Sequence, residues 1–176
     1  MTEIDRMALA EKAAKVKLLV IGVDGVLTDA GMYFNDNGDY LRKFNRRDGM
    51  GIQLLKSHDI KSAIVSSMQS RIVEIWGKMF EVDFIRLGVT DKIHEIEKLK
   101  IRCGLKMEQI AYISDDIDEL EIIQAVGFGV TVADGMSSNK KYSSFVTKRC
   151  GGQGAVREVV EIILGCQTVI QDQIGG

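Results

Sequence analysis

The chain of 176 residues contains no proline, where a usual share of about 5% would give roughly nine. That absence removes the stiffest loop residue and one signal for a helix start. Cysteine is scarce: Cys103, Cys150 and Cys166 are far apart and odd in number. They speak against a disulfide framework and a zinc site, and for a reduced, cytoplasmic protein. An excess of one charge is missing too. The formal net charge is −2 and the pI about 5.8, so nothing global calls for nucleic acid or a membrane surface. No apolar run approaches the roughly 18 residues of a membrane span. The opening "MTEIDRMALAEKAAK" has neither the apolar centre nor the cleavage site of a signal peptide, and reads as a short amphipathic helix over 1–15. Hydrophobic residues, by contrast, make up 45%, enough for a sizeable core in one domain.

Strand and helix patterns alternate along the chain. "VKLLVIG" (16–22) is a short continuous run suited to a strand buried on both faces. "GMYFNDNGDYLRKFN" (31–45) holds Asn37-Gly38 between aromatic runs, the pattern of a β-hairpin. Helices are expected over 48–59, 70–80, 91–104 and 118–127, a Gly-rich turn leading into a final helix over 150–165, and strands over 61–67, 82–87, 109–116, 128–134 and 143–148. In the helix over 91–104, Ile93, Ile96, Leu99 and Ile101 are expected to face inward, with Asp91 capping its start and Gly104 its end. The polar residues 166–176 read as a mobile tail. Strands separated by helices predict an α/β fold with a mostly parallel sheet.

In such sheets functional groups collect at the carboxyl ends of the strands. Those ends carry Gly22 to Asp24, Ser66-Ser67 and Ser114 to Asp116, with Lys92 opening a helix nearby. Carboxylates near a hydroxyl and a lysine suit phosphoryl chemistry: hard oxygens hold Mg²⁺, which bridges to a phosphate, while the lysine and hydroxyl take its other oxygens. Each residue also has a plainer role. Asp24 and Asp29 suit turns, Asp115-Asp116 suits a helix cap, Ser66 a strand end and Lys92 a solvated surface. His58 and His94 read as surface residues, and Gly151, Gly152 and Gly154 as a structural turn before the last helix.

The ordered set "VDGVLTD" (23–29), Ser66, "DK" (91–92) and "DD" (115–116) resembles the haloacid dehalogenase superfamily of phosphatases. It is most similar to the small capless branch that contains the 3-deoxy-D-manno-octulosonate 8-phosphate phosphatases. "MYFNDNGDYLRKFNRRDGMGI", "VTDK", "AYISDD", "DELEIIQAVG", "VTVAD" and "GGQGAVREVVEIIL" carry the likeness over roughly 15–165. It implies one domain over 16–165, a three-layer, doubly wound sheet with a hairpin flap after the first strand and no cap. It implies Asp24, Lys92 and Ser66 as catalytic residues, Mg²⁺ held around Asp24, Asp115 and Asp116, and a phosphorylated sugar acid met by Ser67 and Arg47, with Lys43 and Arg46 adding charge. It also implies a homo-oligomer, a tetramer, in which hairpins cover neighbouring sites.

The sequence departs from that pattern in its chemistry. The nucleophilic Asp belongs two residues before Asp24, where Gly22 stands. The Thr-Gly-Arg motif reads Ser66-Ser67-Met68, and Gly-Asp-Asp followed by Asp reads Ser114-Asp115-Asp116 with Glu119. Removing the nucleophile from such a unit typically costs on the order of 10⁴ to 10⁶ in rate. The expectation is a degenerate member with lost or strongly impaired phosphomonoesterase activity, retained as an oligomeric or phosphosugar-binding protein. A working phosphatase of an eight- or nine-carbon keto sugar acid phosphate is the alternative.

Overall fold

The computed structural model describes residues 3–174. Its centre is strand β1 (Leu18–Ile21), four apolar residues without exposed surface. β1 pairs in parallel on one edge with β4 (Lys61–Ser66) and on the other with β6 (Ile110–Ser114). Beyond β4 lies β5 (Phe84–Leu87), and beyond β6 lie β7 (Phe128–Thr131) and β8 (Phe145–Val146), giving the order β5-β4-β1-β6-β7-β8, parallel throughout. The expected hairpin forms from β2 (Tyr33–Phe34) and β3 (Tyr40–Leu41).

Strand side chains alternate between the sheet's faces, and the core divides accordingly. Leu19, Ile21, Ile64, Ile113 and Val130 face one way and pack with α2 (Arg46–Lys56), α3 (Arg71–Met79), α7 (Ala155–Ile174) and the end of α1 (Glu3–Ala14). Leu18, Val20, Val65 and Tyr112 face the other way and pack with α4 (Lys92–Cys103) and α5 (Leu120–Ala125). The three-layer, doubly wound architecture without a cap is therefore as expected.

Several local expectations change. Ile101 is 75% exposed rather than inward; at about 100° per residue it lies across the helix axis from Leu99. Asp91 and Gly104 do cap α4: the Asp91 carboxylate accepts from His94 N at 2.9 Å, and Gly104 has φ 65°. A short helix, α6 (Ser137–Tyr142), occupies a stretch with no apolar periodicity, packed on α5 and β7. The last helix does not stop at Gly165. It runs to Ile174, so the expected tail begins as helix, and Gln167 Nε2 donates to the Ala14 and Val16 carbonyls at 3.2 and 2.9 Å. Gly inside a helix costs about 1 kcal/mol, and here that tie to the end of α1 offsets it. Residues 175–176 lie outside the described residues.

Helices α2 and α7 are joined by Asp48, which is fully buried and accepts from Arg157 N at 2.9 Å. Burial lifts its carboxyl to about 6, against the pull of the Arg157, Gly154 and Val156 amides. A carboxyl whose folded pKa lies above its ordinary value of 3.8 stabilises the fold below that value and loses the contribution as pH rises through the folded pKa. Asp48→Asn is expected to flatten the fall in unfolding free energy between about pH 4 and pH 6, followed by urea titration. A slope identical to that of the parent would show that Asp48 titrates alike in both states.

Candidate active site

The carboxyl ends of β1, β4 and β6 open onto a cleft of about 200 Å³. Asp24, Ser66, Ser67, Lys92, Asp115 and Asp116 all line it. Arg47 does not; it stands exposed on the first turn of α2, and Arg46 beside it is exposed too. Lys43 is also exposed and pairs with Asp29 at 2.7 Å. Asp29 serves its turn, as its plainer reading had it: it accepts from Gly31 N at 3.1 Å and from Tyr33 Oη at 2.9 Å. Hydrogen bonds from Lys43 and then Tyr33 hold its carboxyl below the usual range.

After β1 the chain makes a wide turn over Val23–Leu27, closed by Thr28 N donating to the Val23 carbonyl. The turn reverses direction at Gly25, φ 71°, and that glycine is required twice over. A side chain there would be left-handed, and its Cβ would fall 1.9 Å from Asp115 Oδ2. Gly151 presses on the same turn from outside: a Cβ on it would lie 1.8 Å from the Gly25 carbonyl oxygen. The glycine loop before α7 is thus a structural brace, with Gly152 N donating to the Val26 carbonyl at 2.9 Å. Gly22 differs, because its backbone is extended, φ −64° and ψ 162°. Any residue can adopt that conformation; space is the limit, since a Cβ would meet the Ile113 oxygen at 3.2 Å, Val26 Cγ2 at 3.3 Å and Glu119 Oε2 at 3.7 Å.

Ser66 is buried, and its Oγ accepts from Met68 N at 3.2 Å, which leaves the hydroxyl proton to donate elsewhere. Met68 lies beside a guanidinium that the sequence did not disclose. Arg42, just past β3, has a side chain only 1% exposed. Its Nη2 is 3.3 Å from Asp24 Oδ1 and 3.2 Å from Met68 Sδ, its plane lies over the Tyr40 ring, and its Nε and Nη1 are buried without a partner. The available signal was the alternation of Tyr40 and Arg42 along the returning hairpin strand, which puts both on one face.

Across the cleft, Lys92 is no surface lysine. Its Nζ donates to Glu119 Oε1 at 2.5 Å and to Asp118 Oδ2 at 3.3 Å. Burial pulls the ammonium pKa down, but the charge and hydrogen bond of Glu119, then Asp118, leave it raised overall. Tyr112 Oη, fully buried in β6, donates to the same Oε1 at 2.7 Å. Burial and the charge of Glu119 push that phenol well above its usual value. Asp116 acts as a cap, accepting from Ile117 N at 2.6 Å. Asn139, buried on α6, holds this turn by donating to Ser114 Oγ at 3.0 Å and to the Asp116 carbonyl. Asp115 is pushed up to about 7, by burial first and then by the charges of Glu119 and Asp116.

No family model matches the chain, but individual proteins do. A 3-deoxy-D-manno-octulosonate 8-phosphate phosphatase of Yersinia pestis is 34% identical over 165 residues, covering 94% of this chain and 88% of that protein. The chain belongs to the 3-deoxy-D-manno-octulosonate 8-phosphate phosphatase family. Its fold agrees. A Legionella pneumophila hydrolase of the haloacid dehalogenase superfamily, subfamily III A, superposes with a TM-score of 0.92 at 36% identity, covering 98% of this chain and 95% of the other. A family structure from Moraxella catarrhalis, in complex with magnesium, phosphate and the sugar acid, has a TM-score of 0.88 at 34% identity, covering 95% and 96%. With coverage so nearly complete both ways, neither chain carries an inserted cap that the other lacks.

The Lys92–Glu119 pair sets a measurable cost. Removing one partner of a buried pair leaves the other charge uncompensated, at about 3–5 kcal/mol. Lys92→Met is expected to lower the unfolding free energy by about 3 kcal/mol, and the double variant with Glu119→Gln to recover most of it, in a double-mutant cycle by urea denaturation. Additive losses would show that the two side chains do not interact.

Proposed function

We propose that this chain binds a phosphorylated keto sugar acid together with Mg²⁺, and that hydrolysis of the phosphomonoester is lost or strongly impaired. The observation carrying this reading is the contrast at the cleft. Ser66, Lys92 and several carboxylates line one cleft, which supports a phosphoryl-transfer site, while Gly22, at the strand tip where the family resemblance expects the nucleophile, has no side chain. Without it, covalent catalysis and its division of one hard step into two are gone.

The cleft's own charge supports a cation. Asp24, Asp115, Asp116, Asp118 and Glu119 line it, with Lys92 inside and Arg42 beside it as cations among the described residues. A phosphate dianion entering so negative a site needs added positive charge. Mg²⁺ fits the donor set: hard oxygens, one of them, Glu119 Oε2, buried without a partner. Among the described residues no three His, Cys, Asp or Glu side chains are grouped so as to hold a metal ion by themselves, so the ion would need waters and the phosphate to complete its shell. When bound, the ion would offset the phosphate charge, held around Asp115 and Asp24. Ser66 Oγ would donate to a phosphate oxygen and Lys92 would face another.

Two further parts of the reading rest on the surface. Met32, Tyr33, Phe34 and Leu41 of the hairpin are 65%, 44%, 60% and 60% exposed. A two-stranded ribbon cannot bury such a face alone, which supports a homo-oligomer, a tetramer in our reading. No described helix is long and apolar enough to cross a membrane, and the cysteines are free, which supports a cytoplasmic setting.

A working phosphatase is the second reading, favoured by Asp24: its carboxylate, 41% exposed and held by Arg42, is placed to take a proton from a water. One pair of measurements separates them. With Mg²⁺ and 3-deoxy-D-manno-octulosonate 8-phosphate, calorimetry is expected to show micromolar binding. Phosphate release is expected to run at least about 10⁴-fold below that of the Yersinia relative assayed beside it. Turnover within tenfold of the relative would establish the second reading.

A further inference from the structure

Arg42 has only 1% of its side chain open to solvent, yet its donors are poorly used. Nε and Nη1, which carry most of the guanidinium's N–H groups, are buried without a partner. Nη2 has two partners: Asp24 Oδ1 at 3.3 Å, on a carboxylate 41% exposed, and Met68 Sδ at 3.2 Å. A thioether is a weak acceptor, and a charged donor gains far more from an oxyanion. Buried polar groups are normally hydrogen-bonded, so a guanidinium in this state has donors to offer a ligand. The Tyr40 ring, 5.0 Å from Cζ, covers one of its faces, which leaves the edge for an acceptor to approach. Met68 stands at that edge. Its side chain is 46% exposed, unbranched and free to swing, and it lines the cleft together with Asp24. Its backbone N donates to Ser66 Oγ at 3.2 Å, so the sulfur lies one residue's reach from the hydroxyl read above as a phosphate donor. Charge points the same way. Lys92 lines the cleft but divides itself between Glu119 and Asp118. Among the described residues Arg42 is the cation beside the cleft with N–H groups to spare.

We propose that Arg42 is a phosphate-binding residue of the cleft, and that an oxygen of the bound phosphate takes the place of the Met68 sulfur on Nη2. This rests on the reading of the cleft as a phosphate site, and adds to that site a residue from the hairpin. Met68 swings outward and opens the guanidinium edge to the cleft. Asp24 and the Tyr40 ring keep the guanidinium oriented while the sulfur is exchanged for oxygen. The hairpin is then part of the binding site of its own chain, and it brings to the cleft a charge that position 68 does not.

The experiment is calorimetric titration of the full chain with inorganic phosphate in the presence of Mg²⁺. Three proteins are compared: the parent, Arg42→Met, and Arg42→Met combined with Met68→Arg, which exchanges the two side chains. Trp76 is the single tryptophan and stacks on Phe44, two residues past Arg42, at 5.2 Å, so its emission reports whether the end of the hairpin stays seated. Arg42→Met is expected to weaken phosphate binding at least about tenfold with Trp76 emission unchanged. The exchange is expected to return binding to within about threefold of the parent, because either position presents a guanidinium to the same edge of the cleft. Binding within about twofold of the parent in Arg42→Met overturns the proposal. So does an exchange that stays as weak as Arg42→Met, since the guanidinium then serves only to seat the hairpin. Should Arg42→Met not fold, the parent alone decides. Its Arg42 Nε–H resonance, identified by its loss in Arg42→Lys, is expected to move on addition of phosphate, and a resonance that stays still overturns the proposal. A parent that binds phosphate while Arg42→Met matches it sinks this inference and leaves the phosphate site standing. A parent that does not bind phosphate sinks both.

Discussion

The cleft depends on the way β1 is enclosed. Its residues are buried on both faces of the sheet and hydrogen-bonded on both edges, so polar groups have no place along it and must gather where it ends. Its neighbours β4 and β6 end beside it, at Ser66 and Ser114, and the turn that follows β1 is wedged between them. Parallel pairing makes the ends coincide, because strands running the same way finish on the same side. The hydroxyl, the lysine and the carboxylates are therefore brought together by hydrophobic burial some distance from any of them.

At that end the balance of charge decides what the protein can hold. Neutral clefts take ligands by shape and hydrogen bonds, but this one has more carboxylates than cations. Two devices keep it folded. Lys92 shares itself between Glu119 and Asp118, and Arg42 reaches in from the hairpin to Asp24. Lys92–Glu119 is not a surface ion pair worth only a few tenths of a kcal/mol, since its side chains are 16% and 5% exposed; Asp118 and Asp24 are the exposed partners, at 64% and 41%. Arg42 also touches Met68, where the family motif has an arginine. Met68 brings no guanidinium, yet one lies against its sulfur, delivered by a different element.

Much of this was legible before the fold was known. Continuous apolar runs disclosed the buried strands, Asn37-Gly38 the hairpin, and the order of Asp24, Ser66, Lys92 and Asp115 the cleft. What stayed hidden follows a pattern. The helix carrying Asn139 has no apolar stripe, because its task is to hold a polar turn. Ile101 fits a helical spacing by eye but not by angle. Gly165 reads as a stop, but a tie from Gln167 to the end of the first helix carries the chain past it. Arg42 is an ordinary charge in a sequence, and Glu119 shows there only as an acid where the resemblance expects Asp; that both are buried and half-satisfied is something no one-dimensional pattern expresses.

The contact of Gly151 with Gly25 reaches further than its size suggests. It joins a turn near the beginning of the chain to a loop near its end, backbone against backbone. A ribosome makes these segments in order, and the turn after β1 emerges long before its brace. β4 and β6, which flank β1, are made before that brace as well. The turn beside the cleft is thus braced only after β1, β4 and β6 have all been made.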